Sequence, residues 1–169
     1  MSEPLKLTST ESVTIRRSDP EVLEVEAEYG PSGRRPPKHL HPIQDEHFEV
    51  LSGRLQVRLD GSERTLTAGE TIDIPRGTAH QMWNPGGEPA RVLWQTRPAG
   101  RTEQWFRDID ALHRSGRVRS NGMPSPLAFG VFLREYRDIF RLAPEPPRPA
   151  LALLGKIGRL RGYRAGAGS

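Results

Sequence analysis

The stretch GRRPPKHLHPIQDEHFEVLSG, residues 33–53, decides how the rest of the chain is read. It sets His39 and His41 on either side of Leu40, with Glu46 a short turn later. Successive side chains of an extended strand point to opposite faces, so the two imidazoles share one face and Leu40 takes the other. Pro42 and the turn-prone Gln44-Asp45 separate them from Glu46, which starts the next strand and returns a carboxylate towards the pair. A second stretch, GETIDIPRGTAHQMWN at residues 69–84, delivers His80 after the Pro75-Arg76-Gly77 turn, at the head of a strand whose Met82 and Asn84 share its face. Three imidazoles and one carboxylate form a donor set suited to one divalent Fe, Mn, Co, Ni, Cu or Zn ion, and the chain has no cysteine to soften it.

Outward from these ligands, the glycines complete a pattern. Gly33-x5-His39-x-His41-x4-Glu46-x6-Gly53, followed by Gly69-x5-Pro75-x-Gly77-x2-His80-x3-Asn84, resembles the two signature motifs of the cupin superfamily, with only Arg54 to Ala68 between them. The resemblance covers roughly the first hundred residues. It implies an all-β fold, a small antiparallel double-stranded β-helix of the jelly-roll barrel type, with His39, His41, Glu46 and His80 as ligands to one divalent metal. It also implies a homodimer. The bland alternative, polar residues scattered on strand edges, requires four ligand residues to fall by chance in register with two sets of turn glycines. The motif pair is specific for fold and nearly silent on reaction, because one fold of this kind hosts many chemistries.

The 169 residues hold 25 Lys+Arg against 21 Asp+Glu, a formal charge of +4. Nucleic acid is a poor reading of that balance, since Glu24, Glu26, Glu28, Asp45, Glu46 and Glu49 crowd the ligand region and no nucleic-acid motif appears. Absent cysteines exclude disulfides, the first residues carry no apolar signal core, and no run is long enough to span a bilayer, so the expected compartment is the cytoplasm.

Residues 1–12 are polar and predict no element before a short strand at Val13–Ile15. From Val22 to Tyr29 apolar and acidic residues alternate, which turns Leu23, Val25, Ala27 and Tyr29 to the interior. Parity from Glu46 puts Phe48 and Val50 on the ligand face, so Tyr29, Phe48, Val50 and Met82 are the predicted pocket walls. His47 points away. Gln44 reads as a loop residue, and Trp83 and Trp94 as packing. Asp60-Gly61 marks a hairpin. Composition shifts after Pro98, dividing the chain into a β-barrel at 1–98, a helical annex at 99–143 and a Pro-rich linker with a basic tail at 144–169. Thr102 is placed as the cap of a helix reaching Arg114. Pro126 opens a second helix whose stripe of Phe129, Phe132, Leu133, Tyr136, Ile139 and Phe140 needs a cover, expected to be the outside of the barrel. A last helix from Leu151 is weakened by Gly155, Gly158 and Gly162, which predicts fraying.

These features predict a metal-dependent enzyme for a small organic molecule, oxygenating first and isomerising or cyclising next, with no side chain assigned as a catalytic acid or base. The alternative is a non-catalytic module that binds or senses a small molecule around a structural metal. A solvent-closed lumen filled with side chains favours the module, and an open apolar cavity ending at the metal favours the enzyme. Membrane recruitment has only the basic C-terminal segment behind it.

Overall fold

The computed structural model describes residues 3–166. The outermost ends of the predicted polar N-terminus and basic tail, residues 1–2 and 167–169, lie outside the described residues. In chain order the strands are β1 (Leu5–Lys6), β2 (Glu11–Ser18), β3 (Leu23–Tyr29), β4 (His39–Leu40), β5 (Asp45–Ser52), β6 (Arg54–Leu59), β7 (Ser62–Thr67), β8 (Thr71–Ile74), β9 (His80–Trp83) and β10 (Ala90–Arg97). Helices α1 (Thr102–Arg114) and α2 (Pro126–Glu135), strand β11 (Arg141–Leu142) and helix α3 (Arg148–Leu160) follow.

The strands form two antiparallel sheets, ordered β1-β2-β3-β10-β5-β8 and β11-β4-β9-β6-β7. Among the described residues hydrogen-bonded pairing stays within each sheet, so the closed barrel expected from the resemblance appears here as two facing sheets. Period-two alternation explains the facing. Phe48, Val50, Leu55, Val57, Leu66, Ile72, Ile74, Met82 and Val92 meet in one buried cluster drawn from both sheets. Burying a side chain such as Leu66 completely contributes roughly 1.5–3 kcal/mol. The β6–β7 hairpin turns at Asp60 (φ 49°) and Gly61 (φ 84°), the left-handed pair that a two-residue turn requires.

Five expectations change. Residues 5–6 are a strand rather than loose chain: β1 pairs with β2, and Lys6 N donates to Asp110 Oδ1 at 2.9 Å, tying the N-terminal region to α1. The annex does not cover the outside of the sheets. Trp105, Phe106, Ile109, Phe132 and Tyr136 pack with Val13, Leu23, Val25 and Ala27, and register puts Val25 beside Trp94 and Trp94 beside Phe48. The helices therefore lie on the same sheet face that carries Glu46. That face is apolar beyond the facing sheet, so it buries more of the helical stripe than the acidic outer face would.

The second helix ends at Glu135, and the chain turns through residues 136–140 into β11, which adds to the edge of β4. The third helix is regular from Arg148 to Leu160 because its glycines make a close helix crossing: a Cβ on Gly158 would stand 2.5 Å from Leu127 O, and one on Gly130 of α2 would stand 2.8 Å from Leu154 Cβ. Thr102 is the first residue of α1 and not its cap; Arg101 holds the cap position without a side-chain bond.

Candidate metal centre

His39 on β4 lies directly opposite His80 on β9, and facing partners of an antiparallel pair present their side chains on one face. His41 follows just beyond β4, and its ring stands 5.3 Å from that of His39 and 5.7 Å from that of His80. Each of the three histidines offers a ring nitrogen, and those atoms lie within 4.8 Å of one another. From the other sheet, Glu46 reaches in with Oε1 3.4 Å from His41 Nε2 and Oε2 3.3 Å from His80 Nε2. All four predicted ligand residues are thus in one place, at the seam where the two sheets face each other.

The Nδ1 atoms explain why the rings point as they do. His39 Nδ1 bonds Pro37 O at 2.9 Å, His41 Nδ1 bonds Ile139 O at 2.7 Å, and His80 Nδ1 bonds Thr78 O at 3.0 Å. A carbonyl only accepts, so each Nδ1 carries the proton and each Nε2 presents its lone pair to the cluster. Burial holds all three imidazoles neutral: His39 is well below its ordinary range, His41 is lowered to about 4, and His80 is lowered despite the opposing charge of Glu46. Burial also pushes Glu46 up to about 7, against the pull of His80 and of a bond from Trp94.

A cation fits this arrangement. His41 Nε2 and Glu46 Oε2 are buried without a hydrogen-bond partner, an arrangement that normally costs about 1–3 kcal/mol per group. A bound divalent ion would satisfy both and hold Glu46 ionised. The three-nitrogen, one-oxygen set suits the borderline divalent metals, and three ring–carbonyl bonds supply the supporting contacts such ligands usually have.

Above the imidazoles is a cavity of about 160 Å³. Tyr29, Phe48 and Met82 are among the residues that line it. Val50 is not: it is fully buried in the core between the sheets. Sequence reasoning missed most of the remaining wall. Phe140 stacks on His39 with ring centres 4.8 Å apart, and Trp94 lines the cavity while its Nε1 donates to Glu46 Oε1 at 3.1 Å. Gln44, read as a loop residue, is buried, and its amide donates to Pro98 O, Ala99 O and Thr102 Oγ1, fastening the start of the annex beside the ligand turn. Glu11 is a second carboxylate on the cavity wall. Its alternation with Val13 and Ile15 was the signal that could have found it. His47 points outward to Asp73 at 2.7 Å, as parity required.

Comparison with known proteins agrees with this geometry. A family model described as "Cupin domain" matches residues 25–96. Tetracenomycin polyketide synthase protein TcmJ of Streptomyces glaucescens is 38% identical over 61 residues, 36% of this chain and 41% of that protein. Oxalate oxidase 1 of Hordeum vulgare is 36% identical over 94 residues, 51% of this chain and 42% of that one. The chain thus spans less than half the length of either relative. Among solved structures, KdgF from Halomonas sp. superposes with a TM-score of 0.54 at 19% identity, covering 60% of this chain and 93% of that one, a likeness of fold alone.

Proposed function

This chain is a member of the cupin superfamily, and from that premise we propose that it is a metal-dependent enzyme acting on a small, largely apolar organic molecule, with oxidation by dioxygen as the first reaction class. The observation that carries this reading is the placement of the lone pairs of three imidazoles, two of them buried, at the floor of an apolar cavity. A non-catalytic module was expected to have its lumen filled by side chains, and an apolar cavity speaks against it. The relatives whose names denote an oxalate oxidase and a polyketide synthase protein support the same class of small-molecule chemistry.

In this reading His39, His41 and His80, with Glu46 as fourth ligand, hold one divalent ion. When bound, it supplies Lewis-acid polarisation of a substrate oxygen and, if redox-active, an electron path to dioxygen. The chain's own residues do the rest. Carbonyls of Pro37, Ile139 and Thr78 lock the imidazole tautomers. The Trp94 N–H steadies Glu46, and Phe48, Phe106 and Phe140 exclude water and give a flat substrate apolar surface on which to lie. Isomerisation or cyclisation is the second reading, favoured by the presence of Glu11 in the same cavity. The proposal extends to a cytoplasmic protein and to a homodimer, and light scattering on the purified protein checks the dimer.

Elemental analysis of untagged, unchelated protein beside His80→Ala tests the proposal. Near-stoichiometric iron, manganese, nickel or copper, lost in the variant, is the expected result. Zinc would move the weight to isomerisation, and absence of metal from both proteins would overturn the reading.

A further inference from the structure

Resting on the enzyme reading above, we propose that Glu11 is the proton-transferring catalytic residue of this cavity. The sheet order β2-β3-β10-β5 places Glu11 at the head of β2, Tyr29 opposite it on β3, and Glu46 across β10 on β5. Glu11 shares a strand face with Val13, whose side chain is buried against the helices, so its half-buried carboxylate lies on the cavity side with Tyr29. Its backbone is anchored, since Glu11 O accepts from Leu7 N at 2.9 Å and Thr8 N at 3.2 Å in the turn that joins β1 to β2.

Three further features separate Glu11 from an ordinary buried acid. Among the described residues its carboxylate has neither a hydrogen-bond nor an ion-pair partner, whereas Glu46 accepts a bond from Trp94 and lies within 3.4 Å of the His41 and His80 rings. It also stands between two spaces. Glu11, Thr8, Pro36, Pro37 and Met123 line both the cavity and an adjoining surface groove, so a proton taken inside has a way out. Desolvation raises Glu11 to about 7, where a carboxyl both accepts and returns a proton near neutrality. The other titratable groups on the cavity wall are Tyr29, the three histidines and Glu46. The groove adds Arg34 and Arg35, and the helices contribute no titratable group, only the Thr102 hydroxyl and apolar and aromatic side chains.

The step balances without a co-reactant. A Glu11 carboxylate oxygen forms an O–H bond as a substrate C–H or O–H breaks. The electron pair of that bond stays on the substrate as an enolate or oxyanion, and the protonated Glu11 returns the proton at another substrate atom or to water in the groove. The ligand it serves is a small enolisable aromatic ketone or phenol. The cavity is close to the roughly 150 Å³ that holds a benzene-sized ring.

The test uses full-length protein loaded with zinc, which has no redox chemistry of its own, and 2-hydroxyacetophenone as the probe. Zinc content, tryptophan quenching by the probe, and replacement of its α-hydrogens by solvent deuterium in proton NMR are read for wild type, Glu11→Gln, Glu11→Asp and His80→Ala. Glu11→Gln should keep its zinc and bind the probe within about two-fold, while exchange falls on the order of 10²-fold, the low end for a lost acid–base group. Glu11→Asp should recover part of the rate, and the rise of the wild-type rate through pH 7 should vanish in Glu11→Gln. Exchange by Glu11→Gln at the wild-type rate would overturn the assignment, as would a wild type that binds zinc and probe without exchanging. Wild-type exchange by zinc-free His80→Ala would instead remove the metal reading and leave Glu11 standing. A zinc-loaded wild type that does not bind the probe would overturn both.

Discussion

Between the two sheets, the core gathers Leu55, Val57 and Leu66 from a single hairpin together with Phe48, Met82 and Val92 from strands a few turns away in sequence. The core between sheet and helices joins Leu5, Val13 and Val25 to Trp105, Phe132 and Tyr136, partners separated by most of the chain. The first is a matter of alternation and turn residues, the second of a helical segment finding an apolar sheet face. The centre stands on both. Glu46 and His80 come from the sheets, whereas the carbonyl that orients His41 belongs to Ile139 and the ring stacked on His39 belongs to Phe140. A cupin-like pair of sheets thus supplies the four candidate ligands, and the annex supplies part of what orients their rings and much of the apolar wall beside them.

Matched cavities in the two cores should break this symmetry most visibly. Phe132 is fully buried and meets Trp105 edge-on at 5.5 Å, and Leu66 is equally buried between the sheets. Phe132→Ala should cost about 3–5 kcal/mol and Leu66→Ala about 2–5 kcal/mol in urea denaturation. Metal affinity should separate them: it should weaken in Phe132→Ala, because Ile139 and Phe140 hang from the same helix, and hold in Leu66→Ala. Equal metal affinity in the two variants would show that the annex merely covers the sheets.

Phe140→Ala sharpens the comparison on a smaller scale. It removes a ring contact but no ligand and no hydrogen bond to one. The expected loss is about 10-fold in metal affinity, the lower end for groups that support ligands, with folding stability reduced by less than in Phe132→Ala. Titration of the chelated, refilled protein with zinc measures the first and urea denaturation the second.

What sequence could read follows the same division. His39, His41, Glu46 and His80 were legible because local turns set their register, and Tyr29, Phe48 and Met82 because parity needs only neighbours. Parity alone overreached at Val50, since it names a face and not a depth: Val50 has the right face and lies in the core. The annex was legible as helices but not as a lid. Nothing local says that the chain after Glu135 returns as β11 to pair Leu142 with His39, or that a carbonyl there meets His41. The glycines of α3 misled for a related reason. Helix propensity counts them as weaknesses, whereas a partner helix lying on Gly158 turns the missing Cβ into room for close packing.

Glu11 gives the smallest expected effect and the one whose sign is most informative. Burial raises its carboxyl from 4.5 to about 7 in the folded protein. Between those values the folded state holds a proton that the unfolded state has lost, so stability falls as pH rises from 4.5 through 7, and the penalty stays constant above. A glutamine of the same shape carries no such penalty. Glu11→Gln should therefore be more stable than wild type at pH 8, by about 1–2 kcal/mol once the partial exposure of the group is allowed for, and indistinguishable from it near pH 4. Leu66→Ala, in the other core, should instead lose the same amount at both pH values. Paired urea denaturation at pH 8 and pH 4 reads the difference directly. A gain confined to high pH would mean that the chain keeps, on the wall of its cavity, a carboxylate that its fold would be more stable without. A gain at neither pH would mean that the Glu11 carboxylate is solvated, and the cavity would lose its only carboxylic acid outside the histidine cluster among the described residues.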